Sequence, residues 1–564
     1  MKKHQLHEKL EFTNMRELIE FAGETYADKY AYSFRRTAKS EITKIKFSSL
    51  RDDVRSLACE LSDMGCAGKH CVIIGKLSYD WVLTYFAVLS IGGVLVPLDP
   101  EWQKEDLADT VSKANASFLF CDEDIKEKGE YIAEQISLEA EPVYLAAKET
   151  ERNLRAAMRA GKPKFEANSD PYYHADIDPD ALALLVFTSG TTGKGKGVML
   201  SQKAVLEDMT TVIPYIDFGE KTVDVLPPHH TFGSSVMLVG HAIIGCEIFI
   251  SGGIRYITKE LTEQKPEHLV LVPLYLETFY RKIWANIKKQ GKEKLIKNMI
   301  KLSNGMCRVG IDLRKKIFAQ VRAAFGGEVK MIITGGAPIN PEIVDFFSAM
   351  GITTLNGYGI TECAPIVSVN RSLNNVQGSI GQPIDCDEIQ ILDPNEDGEG
   401  EIWARGSNIM LGYFKDEEAT KDAITEDGYF KTGDYGKLGK KGEIYITGRK
   451  KNLIILSNGK NVYPEEIENA LIAVPGILDI VVYEGQSKRG IAHNAIVAEI
   501  FPDEDYVKAN GIEDVKAHIK PYVDEYNKTA VSYKKIGVLK IRTTPFPKNT
   551  LRKITRFKID MTID

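Results

Sequence analysis

The sequence predicts an α/β fold, with a large N-terminal part made of several subdomains and a small α+β C-terminal part. Three observations predict it. From Met15 to about Asp180, apolar-periodic helical segments alternate with short β-rich runs, as in a doubly wound sheet. At 184–200 the apolar run Leu184-Leu185-Val186-Phe187 gives way to Thr188-Ser189-Gly190-Thr191-Thr192-Gly193-Lys194-Gly195-Lys196-Gly197 and then returns to Val198-Met199-Leu200. That change reads as strand, anion-handling loop, strand. After the basic cluster Gly448-Arg449-Lys450-Lys451, the chain to Asp564 has the pattern of a small α+β unit. We place the domain boundary there, with 1–450 on one side and 451–564 on the other.

Taken in order, Arg51–Met64 reads as a helix, Cys71–Ile74 as a strand, Tyr79–Ile91 as a helix and Val94–Leu98 as a strand. Leu107–Lys113 and Ser117–Phe120 repeat the pair, and 125–180 reads only as a charged connector with helical parts. Trp81–Leu98 is uncharged and just long enough to be weighed as a membrane span. Gly92-Gly93 divides it, so a buried helix followed by a core strand is the better reading. Further on, Ala204–Thr211 reads as a helix, Leu269–Val272 as a strand broken by Pro273, and Tyr275–Lys289 as an amphipathic basic helix with a solvated charged face. Lys330–Thr334 is a strand running into the turn Gly335-Gly336-Ala337-Pro338, and Asn340-Pro341 has the form of a helix cap with proline at the first position.

Composition narrows the class. Of 564 residues 43% are apolar and 27% charged, as in an ordinary soluble protein, and the net charge of −7 argues against a general nucleic-acid binder. The start, Met1-Lys2-Lys3-His4-Gln5, is polar and unlike a signal peptide. The 8 cysteines are scattered with no CxxC pair, which argues against zinc and disulfide frameworks and points to a reducing cytoplasm. No transmembrane segment is expected; peripheral membrane contact stays open.

The chemistry lies in the loops. Glycines at 190, 193 and 195 let backbone N–H groups approach an anion, the hydroxyls of Thr188, Ser189, Thr191 and Thr192 add donors, and Lys194 and Lys196 add charge. Read as the P-loop G-x-x-x-x-G-K-[ST], the stretch from Gly190 fails at Gly197, where a hydroxyl must hold Mg²⁺. A flexible linker is the bland alternative, but linkers rarely sit between two apolar strands. In Asn356-Gly357-Tyr358-Gly359-Ile360-Thr361-Glu362, Asn356 can bond a base edge, Tyr358 can stack on a purine, Thr361 can contact a phosphate and Glu362 offers a hard oxygen for Mg²⁺. Asp434, in Thr432-Gly433-Asp434, is a candidate acceptor for ribose hydroxyls, or a turn-forming residue.

Together these stretches resemble the adenylate-forming superfamily of acyl-CoA synthetases, luciferases and peptide-synthetase adenylation domains, and most closely bacterial long-chain fatty acid–CoA ligases. The loop matches the family's [ST]-[ST]-G-[ST]-T-G-x-P-K-G-V except at Gly195, where the family has Pro. Leu226-Pro227-Pro228-His229-His230 is similar to its L-P-x-x-H, 356–362 to its N-x-Y-G-x-T-E, and 432–434 to its T-G-D. Near the end, Pro547-Lys548-Asn549-Thr550-Leu551-Arg552-Lys553-Ile554 resembles P-K-T-x-x-G-K-[IL], with Asn549 and Arg552 departing from the Thr and Gly.

The resemblance implies an enzyme with a mobile C-terminal cap, an acid–thiol ligase that uses ATP, Mg²⁺ and CoA and turns a medium- or long-chain fatty acid into acyl-adenylate and then acyl-CoA. It implies phosphate contacts from 188–196, further nucleotide contacts from 335–338 and 356–361, ribose contacts from Asp434 and Arg449, and Mg²⁺ on Glu362. Thr188, Glu362, His230 and Lys553 become the catalytic set, and His230 and Gly359 border the acyl group. Lys451 becomes a hinge, and Gly459 lies beside a thiol tunnel. Acetate-using relatives carry Trp at the position of Gly359, so a glycine there implies a longer or wider acid, an aryl acid included. The rivals are a ligase that loads a separate acyl-carrier protein, a P-loop ATPase or kinase, and a non-catalytic nucleotide-binding relative.

Overall fold

The computed structural model describes residues 4–138, 140–145, 153–188, 195–456, 460–472, 474–486, 492–548 and 554–563. Its central sheet has seven strands in the order Gly412–Tyr413, Lys196–Ser201, Leu182–Thr188, Val94–Leu98, His70–Ile74, Phe118–Asp122 and Val143–Leu145. The last five run parallel, and the first two are antiparallel additions at one edge. Alternate side chains serve opposite faces, as the pleat requires. Cys71 and Ile73 join the core under helices Phe47–Asp63 and Tyr79–Ser90, while Val72 and Ile74 join the core under Lys104–Lys113 and Lys126–Gln135. The sheet is therefore doubly wound, as the alternation predicts. Every residue of Tyr79–Ser90 is buried, which accounts for its uncharged run, and no helix among the described residues is long and apolar enough to cross a membrane.

Three more sheets complete the larger part. One has the order Ile42–Lys46, Tyr30–Arg35, Glu247–Ile250, Lys221–Asp224. A second has His268–Leu271, Met331–Thr334, Thr353–Gly359, Ile366–Val369 and Gln382–Pro383. The third is antiparallel: Asp387–Leu392, Gly400–Gly406, Phe430–Leu438, Ile444–Arg449. The three-residue helical turn Lys450–Asn452 then leads to the small pair Ile454–Ile455 and Asn461–Val462. Beyond it, strands Ile477–Gln486, Ala492–Pro502 and Ile536–Ile541 pack on helices Pro464–Leu471 and Val515–Thr529 around Ile467, Leu471, Val482 and Ile519.

Three details differ from the sequence pattern. The connector 125–180 contains the sheet's edge strand Val143–Leu145 and helix Leu154–Ala167. That helix packs through Leu154, Met158 and Phe165 and through Gly161, where a Cβ would stand 1.8 Å from the Ser56 carbonyl oxygen of Phe47–Asp63, so the backbones approach closely as well. Pro273 does not break a strand but opens helix Pro273–Lys289, where its missing N–H costs nothing. The charged face of that helix is not simply solvated. Arg281 lies 3.8 Å from Asp503, and the Lys288 ammonium sits 5.3 Å from the Tyr506 ring, both partners in the C-terminal part.

Candidate active site

Parallel α/β sheets bind ligands beyond the carboxyl ends of their strands. Here Leu95 is level with Leu184 in the parallel pair, so the ends of both strands, Leu98 and Thr188, lie toward the same edge of the sheet. Thr188 closes its strand and pairs with Lys196, which opens the next. Residues 189–194 of the phosphate-loop motif lie outside the described residues, but its two ends form an antiparallel hairpin. This overturns the P-loop alternative, because a P-loop runs into a helix. Gly197 is buried, and a Cβ there would meet Leu185 and Phe187 at 2.9 and 3.2 Å, so no side chain at 197 could face a metal without displacing that core.

The strand Gly412–Tyr413 pairs with this hairpin and joins it to Glu362. Leu411 N–H donates to the Met199 carbonyl, Phe414 N–H to Gly197, and Met410 N–H to the backbone oxygen of Glu362, each at 2.8 Å. Tyr413 completes the link. Its hydroxyl donates to Glu362 Oε1 at 2.9 Å, and the Lys196 ammonium lies 4.5 Å from its ring centre. Burial and the Glu362 carboxylate raise its phenol well above the ordinary value, so it is a donor at any physiological pH. Tyr413 was missed in the sequence because Gly-Tyr-Phe reads as an ordinary short strand.

The turn that carries Thr361 and Glu362 is held from below. The Asn408 amide donates to the carbonyls of Cys363 and Ile366 at 3.0 Å, and lies 3.4 Å from Asp208 Oδ1 and 3.3 Å from Asp387 Oδ2. Asp208 also accepts from Ile366 N–H at 3.2 Å. Burial raises both carboxyls, Asp387 to about 8 and Asp208 well above its ordinary range. The signal of Asp208 in the sequence is an Asp within the apolar helix Gln202–Val212, and it carried no motif.

Tyr358, Asp434 and Arg449 come together as one group. Asp434 is buried and lies opposite Arg449 in the strand pair, with Arg449 Nε 3.0 Å from Asp434 Oδ1 and the Tyr358 hydroxyl donating to Oδ2. The guanidinium is half-exposed, and the carboxylate beside it raises its pKa. Asn356 is level with Thr334, which sets the turn Gly335–Pro338 against the 356–359 stretch; a Cβ on Gly335 would meet the Gly357 oxygen at 3.0 Å. Gly336 has φ +82°, a left-handed turn residue, and Gly336, Ala337 and Pro338 are exposed. Asn356 Nδ2 reaches the Ser379 carbonyl at 3.4 Å. Gly359 has a backbone role that its sequence reading missed. A Cβ there would lie 2.3 Å from the Pro365 oxygen, so the close approach of the following turn already requires glycine.

His230 lies in the loop before the wide-turned helix Phe232–Gly240, where its carbonyl accepts from Gly233 and Ser234 N–H groups at 2.9 Å. Its ring stands 4.3 Å from that of His229. His229 is buried with Nε2 3.6 Å from Asp99 Oδ2, and burial lowers it to about 4, so it is neutral at physiological pH.

Glu362 suits Mg²⁺ by the chemistry of its donor: a partly exposed carboxylate on the phosphate-loop side, with one oxygen steadied by Tyr413. Among the described residues one other group has metal-ligand types, His241, Cys246 and His268. Its histidines point their Nε2 atoms at each other, 2.9 Å apart and 17° from coplanar, leaving no room for an ion. Gly219 N–H donates to His268 Nδ1, and His241 Nδ1 faces the Val236 carbonyl, so the pair is a neutral hydrogen-bonded relay within the core.

Lys553 and Gly459 lie outside the described residues. The residues flanking the Lys553 segment are described: Lys548 bridges to Ile554, Lys548 Nζ pairs with Asp479 at 2.8 Å, and Arg556 reaches both carboxylate oxygens of half-buried Glu468. Lys451 is exposed in the turn Lys450–Asn452, between Lys450 on Glu401 and Asn452 on Glu465.

Two family profiles match the chain, one described as AMP-binding enzyme over residues 19–414 and one described as AMP-binding enzyme C-terminal domain over residues 451–559. The chain belongs to the AMP-binding enzyme family. Within it, the chain is similar to long-chain-fatty-acid–CoA ligase 5 of Rattus norvegicus, 28% identical over 456 residues that cover 74% of this chain and 65% of the rat protein. The chain thus spans a little under two thirds of that relative's length. It is also similar to long-chain-fatty-acid–CoA ligase FadD15 of Mycobacterium bovis, 28% identical over 471 residues covering 80% and 76% of the two chains. Among solved structures, ATP-bound MatB from Rhodopseudomonas palustris shares the fold, with TM-score 0.73, 22% identity and coverage of 96% and 97%. In this AMP-binding enzyme the hairpin at 182–201 and the turn carrying Glu362 are joined through the strand Gly412–Tyr413.

Proposed function

We propose that this AMP-binding enzyme activates a medium- or long-chain fatty acid with ATP and passes the acyl group to CoA. The observation that carries the reading is the connection of Lys196 through Tyr413 to Glu362, one strand away from the hairpin that brings in Thr188. A cation, a hydroxyl and a carboxylate held in fixed relation suit a triphosphate and its magnesium. The rat and mycobacterial relatives, both long-chain-fatty-acid–CoA ligases by name, support the acyl class.

A carboxylate is a poor acyl donor because oxide leaves badly. In the proposed first step a carboxylate oxygen bonds to the α-phosphorus of ATP, and the bond to pyrophosphate breaks. Catalysis here is positioning and charge balance. Thr188 and Lys196 face the terminal phosphates; Asn356 and Tyr358 border the adenine; Asp434 accepts from the ribose hydroxyls, with Arg449 holding its carboxylate. Gly335 to Pro338 give the nucleotide a close backbone wall. Glu362 would hold Mg²⁺, which offsets phosphate charge when bound. Lys553 supplies the cation at the carboxylate and α-phosphate. In the second step the CoA sulfur bonds to the acyl carbon, and AMP leaves with the electron pair of the mixed anhydride. His229 and His230 border the acyl end. We further propose the domain boundary at 450/451, with Lys451 as the hinge, Gly459 beside the thiol's path, and a cytoplasmic location.

ATP–pyrophosphate exchange with acetate, octanoate, palmitate and benzoate, followed by AMP release with and without CoA, tests the reading. Exchange with octanoate or palmitate and CoA-dependent AMP release are expected. Exchange without CoA dependence would move the acceptor to a carrier protein, and no exchange with any acid would end the adenylation reading.

A further inference from the structure

Between Arg281 and Lys316 the chain carries twelve Lys or Arg and two Asp or Glu, against a net charge of −7 for the whole protein. Helix Glu293–Arg308 lies in this segment. Its inner stripe is Ile296 and Ser303, both buried, with Met299 and Ile300 half-buried against the core that includes Phe346 and Leu276. A second apolar stripe has no such cover. Leu295 is 54% exposed, Leu302 63% and Val309 74%, spaced seven residues apart, so they line up along one side of the helix. Ile311 at 49% and Leu313 at 37% continue the stripe past the helix end. Lys294, Lys297 and Lys301 are exposed on the other half of the outer face, and Lys315 and Lys316 are exposed just beyond it.

We propose that this face lies on an anionic lipid surface, with Leu295, Leu302, Val309, Ile311 and Leu313 entering the headgroup–acyl boundary and the lysines meeting lipid phosphates. Five exposed large aliphatics in one continuous stripe gain nothing from water, and a solvated charged helix has no use for them. An apolar strip beside long basic side chains is the arrangement of a helix that lies in the interface plane: the aliphatics partition, and the lysines reach outward to the phosphates. Charge decides between occupants. A second copy would bring the same cationic face against itself. A nucleic acid would meet the lysines and leave the aliphatics in water. A bilayer with anionic lipids satisfies both halves. The helix is anchored to the fold by its inner stripe, so the surface is present before any lipid arrives. The assignment is independent of the ligase reading, since its test measures binding alone.

The test is flotation of the full chain with liposomes of phosphatidylcholine, alone or with about 30 mol% phosphatidylglycerol. Binding to the anionic liposomes only is expected, weakening as salt is raised. Leu295→Gln with Leu302→Gln should lower the partition coefficient about tenfold or more, because two inserted side chains are lost. Lys294→Glu, Lys297→Glu and Lys301→Glu together should abolish binding, whereas Lys440→Glu, exposed on the turn between strands Phe430–Leu438 and Ile444–Arg449, should leave it intact. All these side chains are exposed, so unchanged melting temperatures verify the fold. No flotation with either liposome overturns the proposal, as does flotation indifferent to both sets of variants. Sedimentation velocity showing a dimer that the Leu295/Leu302 pair disperses would assign the face to a second copy, and capture of an acidic carrier protein without liposome binding would assign it to that partner; either result overturns the lipid assignment.

Discussion

Tyr413 holds a carboxylate with its hydroxyl and an ammonium on its ring, and so sets the spacing of Glu362 and Lys196. Tyr413→Phe keeps the ring and removes one hydrogen bond to a charged acceptor, a loss of about 1.5–3 kcal/mol or roughly 10–100-fold. That loss is expected in pyrophosphate exchange with little change in melting temperature; an unaltered exchange rate would detach Tyr413 from the proposed site. Asp387 makes a pH prediction. Its folded carboxyl sits at about 8, against about 4 in an unfolded chain, so folding retains its proton. The resulting stability is full below about pH 4 and is lost as pH rises through about 8. Asp387→Asn, which cannot ionise, should flatten the fall in melting temperature from about pH 5 to about pH 8. A fall as steep as in the parent would place the proton elsewhere, on Asp208 for example.

At the scale of elements, Gly359 separates a backbone reading from a pocket reading. The strand Thr353–Gly359 and the turn after it approach so closely that a Cβ would lie 2.3 Å from the Pro365 oxygen. Gly359→Ala should therefore cost about 1–3 kcal/mol of stability, as overpacking does, and depress exchange with every acid alike. A selective loss of palmitate with octanoate retained would restore Gly359 as the floor of the acyl site. The antiparallel hairpin at 182–201 likewise explains why Gly197 is glycine: it is buried on Leu185 and Phe187. A loop that runs into a strand presents phosphate donors from both flanks, whereas one that runs into a helix presents them from its N-terminus.

For the whole molecule, the C-terminal part meets the larger part along helix Pro273–Lys289, through Arg281 with Asp503 and Lys288 with Tyr506. In the C-terminal part, Lys548 pairs with Asp479 and Arg556 with Glu468. Lys553→Ala should reduce adenylate formation by about 10²–10³-fold or more, the effect of removing one positioned charge. Reaction of supplied acyl-adenylate with CoA should survive it, and loss of both half-reactions together would refute a role confined to the first. Arg556→Ala leaves the half-buried Glu468 without its cation, a change expected to cost about 1–3 kcal/mol. A separate early melting transition of the C-terminal part is expected in calorimetry.

The sequence by itself determined the alternating sheet, the order of the glycine-rich and acidic stretches, and Asn340 as a helix cap, because these depend on local periodicity, turn chemistry and composition. It also placed Tyr358, Asp434 and Arg449 in motifs, although nothing local told that they would share one carboxylate. Tertiary structure alone decided the rest. The connector 125–180 was legible as partly helical, but not where Leu154–Ala167 sits: Gly161 lies against the Ser56 backbone, a contact no local pattern encodes. Tyr413, Asn408 and Asp208 acquire their roles from partners 51, 45 and 158 residues away in the chain, at distances no local pattern encodes. Residue spacing carries information only where neighbours in sequence are neighbours in space; a site assembled from four sheets lies beyond that range.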